Sequence, residues 1–191
     1  MNRAAIIIGS PPGTDSQFVQ ESVLLEEYLD KFHFDSNFFS SEKNTEIYSR
    51  LAVTRGIRYF HDIVPMHLET LFFIGQFNSG LIESGIQTIV NEFYSLKKPI
   101  AFIGKAVFIA TDLIANPILS AGLWPQHILL LEKKGAVVRQ ANYDDVVVDT
   151  INNLYSTPGF NENASISEAA QGIEKIVSYI HESLSKNDLK N

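Results

Sequence analysis

The sequence contains no cysteine. That excludes disulfides, thiolate metal sites and any cysteine nucleophile. It also lacks any run of about 18 apolar residues, so no membrane-spanning helix is expected. The apolar run Ala4–Ile8 is too short for a signal-peptide core and has no small-residue cleavage site after it. It reads as a first strand, and the cytoplasm as the default location. Cations are scarce: 15 Lys and Arg against 22 Asp and Glu give a net charge of −7. Binding to nucleic acid or to an anionic membrane surface is therefore not expected, because phosphate contacts need clustered Lys and Arg. The five histidines form no ligand motif, and His61 and His67 are separated by Pro65, which works against a shared helix face. Asp144, Asp145 and Asp149 surround a valine run without the spacing of a calcium loop, so turn and capping roles are expected of them. Neither a metal nor another cofactor is expected.

What is present describes an ordinary globular chain. With 191 residues, 45% hydrophobic and 19% charged, it is long enough for one domain with a substantial core, and its composition argues against disorder. Ala4–Ile8 ends at the turn-rich Gly9-Ser-Pro-Pro-Gly-Thr14. A helix capped by Asp15 or Ser16 then runs to about Lys31, with Phe18, Ser22, Leu25 and Leu29 on one stripe. Strands are expected at His33–Phe39 and Leu68–Ile74, and a helix at about 81–96. Pro117–Leu123 reads as a short strand and Pro125–Lys134 as a helix begun by proline and ended by Gly135. Ala136–Arg139 and Val146–Asp149 read as strands, with Asn152-Asn153 as a hairpin turn into Leu154–Ser156. Ser165-Ile-Ser-Glu168 is a capping box opening the final helix, and Ser185–Asn191 is a polar tail. Strands alternating with helices predict a mainly parallel sheet of six or seven strands covered on both faces.

The chain turns on Lys98-Pro-Ile-Ala-Phe-Ile-Gly-Lys-Ala-Val-Phe-Ile-Ala110. A buried strand passes through Gly104 into a helix, the kind of sharp turn that carries a nucleophile in many α/β enzymes. Here the sharpest residue has no side chain. Three loops should meet at this edge: residues 9–14, residues 75–80 and the turn at Gly104. The first could cradle a phosphate with its backbone N–H groups, although it lacks the P-loop spacing and lysine, and a plain connecting loop is the competing reading. Lys105 is either a lysine that reaches solvent or pairs with Glu21 or, held in an apolar pocket, a Schiff-base nucleophile.

A longer pattern runs through Asp15, Glu21-Ser-Val23, Thr54-Arg-Gly56, Gly75-Gln-Phe77, Lys98-Pro99, Gly135-Ala136, Asp144–Asp149, Thr157-Pro158 and Ile166–Ser178. It resembles the enhancing-lycopene-biosynthesis (ElbB-like isoprenoid biosynthesis, glyoxalase) family of the PfpI-type, class I glutamine amidotransferase-like superfamily. The resemblance implies a flavodoxin-like three-layer sandwich, with residues 1–185 as a single class I glutamine amidotransferase-like domain and 186–191 as the tail. It also implies a pocket in which a cysteine on the elbow is touched by a glutamate from the first helix and faced by backbone N–H donors. Glu21 falls on the glutamate position, Gly75 and Gln76 on the oxyanion loop, and Gly104 on the cysteine position, with Lys105 next to it. Asp15 and Thr157 belong to the same expected pocket.

Two functions follow as expectations. One is a divergent glyoxalase-like or PfpI-like pseudoenzyme, inactive because Gly104 replaces the nucleophile. It would retain a pocket for a small carbonyl, amide or phosphate compound, or an interaction role, in a symmetric homodimer as the superfamily implies. The other is an enzyme acting on small carbonyl compounds or amides by relocated chemistry, with Glu21 as base or Lys105 as nucleophile.

Overall fold

Strands and helices alternate along the chain in the computed structural model, which describes residues 1–9, 16–40, 56–77, 84–160 and 163–188. In order they are β1 (Asn2–Ile8), α1 (Ser16–Lys31), β2 (Phe34–Ser40), β3 (Arg58–Tyr59), β4 (Thr70–Ile74), α2 (Ser84–Ser95) and β5 (Ile100–Ile103). There follow α3 (Val107–Leu113), β6 (Ile118–Ser120), α4 (Pro125–Lys133), β7 (Val137–Arg139), β8 (Val147–Asp149), β9 (Leu154–Thr157) and α5 (Ile166–Asp188). Seven strands form one sheet in the order β3-β2-β1-β4-β5-β9-β8, parallel throughout except for the β8–β9 hairpin.

The central strands are apolar on both faces because both faces are covered. Side-chain alternation divides them between two cores. Ala5, Ile7, Leu71, Phe73 and Phe102 pack with Ile86, Val90 and Phe93 of α2 and with α3. Ala4, Ile6, Phe72, Ile74 and Ile103 pack with Leu25 and Leu29 of α1 and with Ile173, Val177 and Ile180 of α5. The result is a flavodoxin-like α/β three-layer sandwich, as the resemblance implies, and its mainly parallel, doubly covered sheet is what the alternation of elements predicts. Among the described residues no helix is long and apolar enough to cross a membrane.

The expected helix boundaries follow their caps. Ser165 N–H donates to Glu168 Oε2 (2.9 Å) and Glu168 N–H to Ser165 Oγ (3.2 Å), so the capping box forms and opens α5. That helix continues to Asp188, past Ser185, where a tail is expected from the sequence; residues 189–191 lie outside the described ones. Gly135 ends α4 at φ +94°.

One strand departs from the sequence reading. The expected strand at 117–123 shrinks to β6, which pairs with β7 in a separate two-stranded parallel sheet rather than extending the main one. Side chains, not a ladder, tie β6 to the main sheet. The Ile118 N–H donates to Asp149 Oδ2 (2.9 Å) and the Ser120 N–H to Ser156 Oγ (2.9 Å). Asp149 also accepts from the N–H groups of Ile151 and Asn152 and from Asn152 Nδ2. Burial pushes its carboxyl up, but these hydrogen bonds outweigh that and hold it below the ordinary carboxylate range.

Candidate functional site

The carboxyl ends of β1, β4, β5 and β9 converge on one edge, where ligands bind in open parallel sheets. Gly9 follows β1, and its N–H donates to the Ile74 carbonyl (2.9 Å). A Cβ on Gly9 would collide with the Gln76 carbonyl, so the loops after β1 and β4 meet backbone to backbone. After β5 the chain passes through Gly104 at φ +60° into a short 3₁₀ turn, Gly104–Ala106, and then α3. That left-handed conformation is one that glycine adopts without steric cost.

Glu21 comes to this elbow from α1. It is only 4% exposed, although the α1 stripe alone places it between the buried face and solvent. Its Oε1 accepts the Phe160 N–H at 2.8 Å. A Cβ built on Gly104 would stand 2.5 Å from Oε1 and 3.1 Å from both Cδ and Oε2. A Cβ on Gly159, at φ +64°, would press on the same oxygen and lie 2.7 Å from Gly104 Cα. Two glycines from different strand ends thus enclose one carboxylate oxygen.

Above Gly104 lies a cleft of ≈ 50 Å³, lined by Lys105, Phe108, Ser120, Trp124, His127, Pro158 and Phe160 among others. Its walls are aromatic. Trp124 stacks on His127 (5.5 Å between centroids, 17°), and Phe108 meets His127 edge-on at 5.2 Å. The indole Nε1 of Trp124 is buried and has no hydrogen-bond partner among the described residues. Burial, and then the Lys105 cation, hold the His127 imidazole below its usual pKa, so it is neutral at pH 7. Removing the cation while keeping the side chain polar, in Lys105→Gln, is expected to raise the His127 pKa, leaving it below the ordinary value because burial persists. An NMR titration of the imidazole Cε1–H signal checks this; an unchanged or lowered pKa would contradict it.

No family model matches the sequence. Solved structures do match the fold. An isoprenoid biosynthesis protein with an amidotransferase-like domain from Ehrlichia chaffeensis superposes with a TM-score of 0.78 at 19% identity, over 95% of this chain and 99% of that one. This chain has the amidotransferase-like, PfpI-type fold. A ThiJ/PfpI domain protein from Brachyspira murdochii gives 0.68 at 13% identity, over 97% and 98% of the two chains. Drosophila melanogaster DJ-1beta gives 0.65 at 15%, over 99% and 98%.

Within this PfpI-type fold the sequence-predicted residues separate. Glu21 and Gly104 are in contact, and Lys105, exposed, lines the cleft beside them. Gly75, at φ +85°, packs against Phe18 and Gly9, with Gln76 exposed next to it. Neither is among the residues lining the cleft. Thr157 ends β9, but its hydroxyl donates to the Asp145 carbonyl (3.0 Å) and lies against Gly172 of α5. Asp15 and residues 10–14 lie outside the described residues. Among the described residues no group of three or more His, Asp or Glu could hold a metal. Trp124 and His127 escape a reading by motif, because α4 reaches the elbow only through the placement of β6 and β7.

Proposed function

We propose that this chain is a member of the PfpI-type, amidotransferase-like superfamily, of the ElbB-like kind, that binds a small carbonyl or amide compound at its elbow without covalent attack by a thiol. One observation carries the reading: the Glu21 carboxylate lies 2.5 Å from where a Cβ on residue 104 would stand. The seat of a nucleophile's side chain is filled by an acid. An aromatic cleft with a neutral imidazole remains beside it, the mixture of apolar wall and few polar groups that small-molecule sites use. A side chain placed at 104 would have to displace the carboxylate end of Glu21.

A second reading rests on His127 and Lys105. A neutral imidazole beside a lysine, with a buried carboxylate below, supports proton transfer on a carbonyl compound by relocated chemistry. Methylglyoxal consumption distinguishes the two. The wild type is expected to show no turnover above the buffer rate, while acetamide, added as a non-reactive amide probe, shifts the NMR signals of Phe160 and His127. Turnover that disappears in Lys105→Ala or Glu21→Gln would overturn the first reading in favour of the second.

A further inference from the structure

At the opposite end of the sheet from the elbow lies a larger cavity, ≈ 200 Å³, between α2, the end of α3 and the β8–β9 turn. Its floor is Val90, Leu113 and Ile114, and its polar rim is Asn91, Tyr94 and Asn152. Among the described residues, none that lines it is an acid or a base of Lys, Arg or His type. An ionic ligand entering it would lose hydration without a counter-charge.

The rim is ordered by a chain of hydrogen bonds that starts at a buried charge. Asn152 Nδ2 donates to Asp149 Oδ2 (2.7 Å), which leaves Asn152 Oδ1 as an acceptor, and the Tyr94 hydroxyl donates to it at 3.1 Å. With its proton committed, the Tyr94 oxygen offers lone pairs. Asn91 is set the other way. Its Oδ1 accepts from Gln87 Nε2 (3.1 Å), and Gln87 Nε2 also donates to the Leu113 carbonyl (3.0 Å). The Asn91 amide hydrogens are left as donors. Asn91 and Tyr94 are three apart on α2, so acceptor and donor stand side by side on one helix face.

We propose that this cavity is a binding site for a small neutral cyclic amide of the lactam or nucleobase kind. Such a ring presents an N–H and a C=O on one edge, to Tyr94 Oη and Asn91 Nδ2 respectively, and lays its apolar face on Val90, Leu113 and Ile114. The site is separate from the elbow and independent of the function proposed there.

The test is an NMR titration of the whole chain with uracil. Shifts are expected at the Asn91 side-chain amide and at the backbone of Ile114 and Ala115. Tyr94→Phe keeps the ring and removes the acceptor, and is expected to weaken uracil binding about 5-fold. Asn91→Leu should weaken it at least as much. Both positions are exposed, so the fold should persist, which an unchanged thermal midpoint verifies. 1,3-Dimethyluracil, which has no N–H, should bind more weakly than uracil, and Lys105→Gln should leave uracil binding as it is. The proposal is overturned if uracil shifts none of these signals up to its solubility limit. It is equally overturned if the dimethyl compound binds as well as uracil, or if Tyr94→Phe changes nothing.

Discussion

Gly159→Ala is expected to lower the stability of the folded protein by about 3 kcal/mol or more. Two costs coincide at this position. The φ of +64° lies in the left-handed region, which strains an alanine by about 1 kcal/mol. The new Cβ would also fall 2.7 Å from Gly104 Cα and 2.9 Å from Gly104 N, and backbone cannot swing aside as a flexible side chain can. Urea unfolding should show the midpoint falling with little change in slope. Gly135→Ala is the matched control. It shares the left-handed conformation at φ +94° but, among the described residues, has nothing within 4 Å of its Cβ, so only the backbone cost of about 1 kcal/mol should appear. Equal losses at the two positions would show that the close approach of the β5 and β9 loops is not what makes residue 159 glycine.

The second large effect belongs to Asp149. Asp149→Asn replaces one acceptor oxygen by a donor that faces N–H groups, and is expected to cost about 2–4 kcal/mol at pH 7. The pH dependence has a definite sign. Because the folded-state carboxyl is held below its ordinary range, its contribution is fully present above the unfolded pKa of about 4 and is lost as pH falls through the folded value. The gap between wild type and Asp149→Asn should therefore be constant from neutral pH down to about 4 and narrow below that. A gap that stays constant into strong acid would mean that the charge on Asp149 does not matter to the fold. Gly159 lies in the loop after β9 and Asp149 at the end of β8, both outside the two apolar cores.

The sheet was legible in the sequence because its central strands are short β-branched or aromatic runs bounded by glycine, as at Ile100–Ile103 before Gly104. The capping box at Ser165 and the hairpin at Asn152-Asn153 were legible for a local reason: each motif satisfies its own backbone groups within a few residues. The two-residue strand β3 carries too little pattern to be seen, and nothing in the residues of β6 says that it joins β7 rather than the main sheet. At the site, Glu21 and Gly104 could be paired only through a family resemblance, since they are brought together by two different helical connections. Trp124 and His127 were not legible, because a stacked indole and imidazole at the start of α4 look in sequence like any proline-led helix start. The buried Glu21 shows the limit of periodicity. Its position on the α1 stripe predicts partial exposure, yet the loop carrying Gly159 and Phe160 covers it from the far side.

The enclosed carboxylate also bears on how freely this protein could change by mutation. Some glycine codons are a single base change from a cysteine codon, so a thiol at residue 104 is genetically close. Sterically it meets Glu21 first: a Cβ at 104 would stand 2.5 Å from Oε1, so that carboxylate, the far end of a flexible side chain, has to shift before a sulfur could occupy the elbow. A change at 104 therefore moves Glu21 as well, so mutational steps at these two positions are coupled.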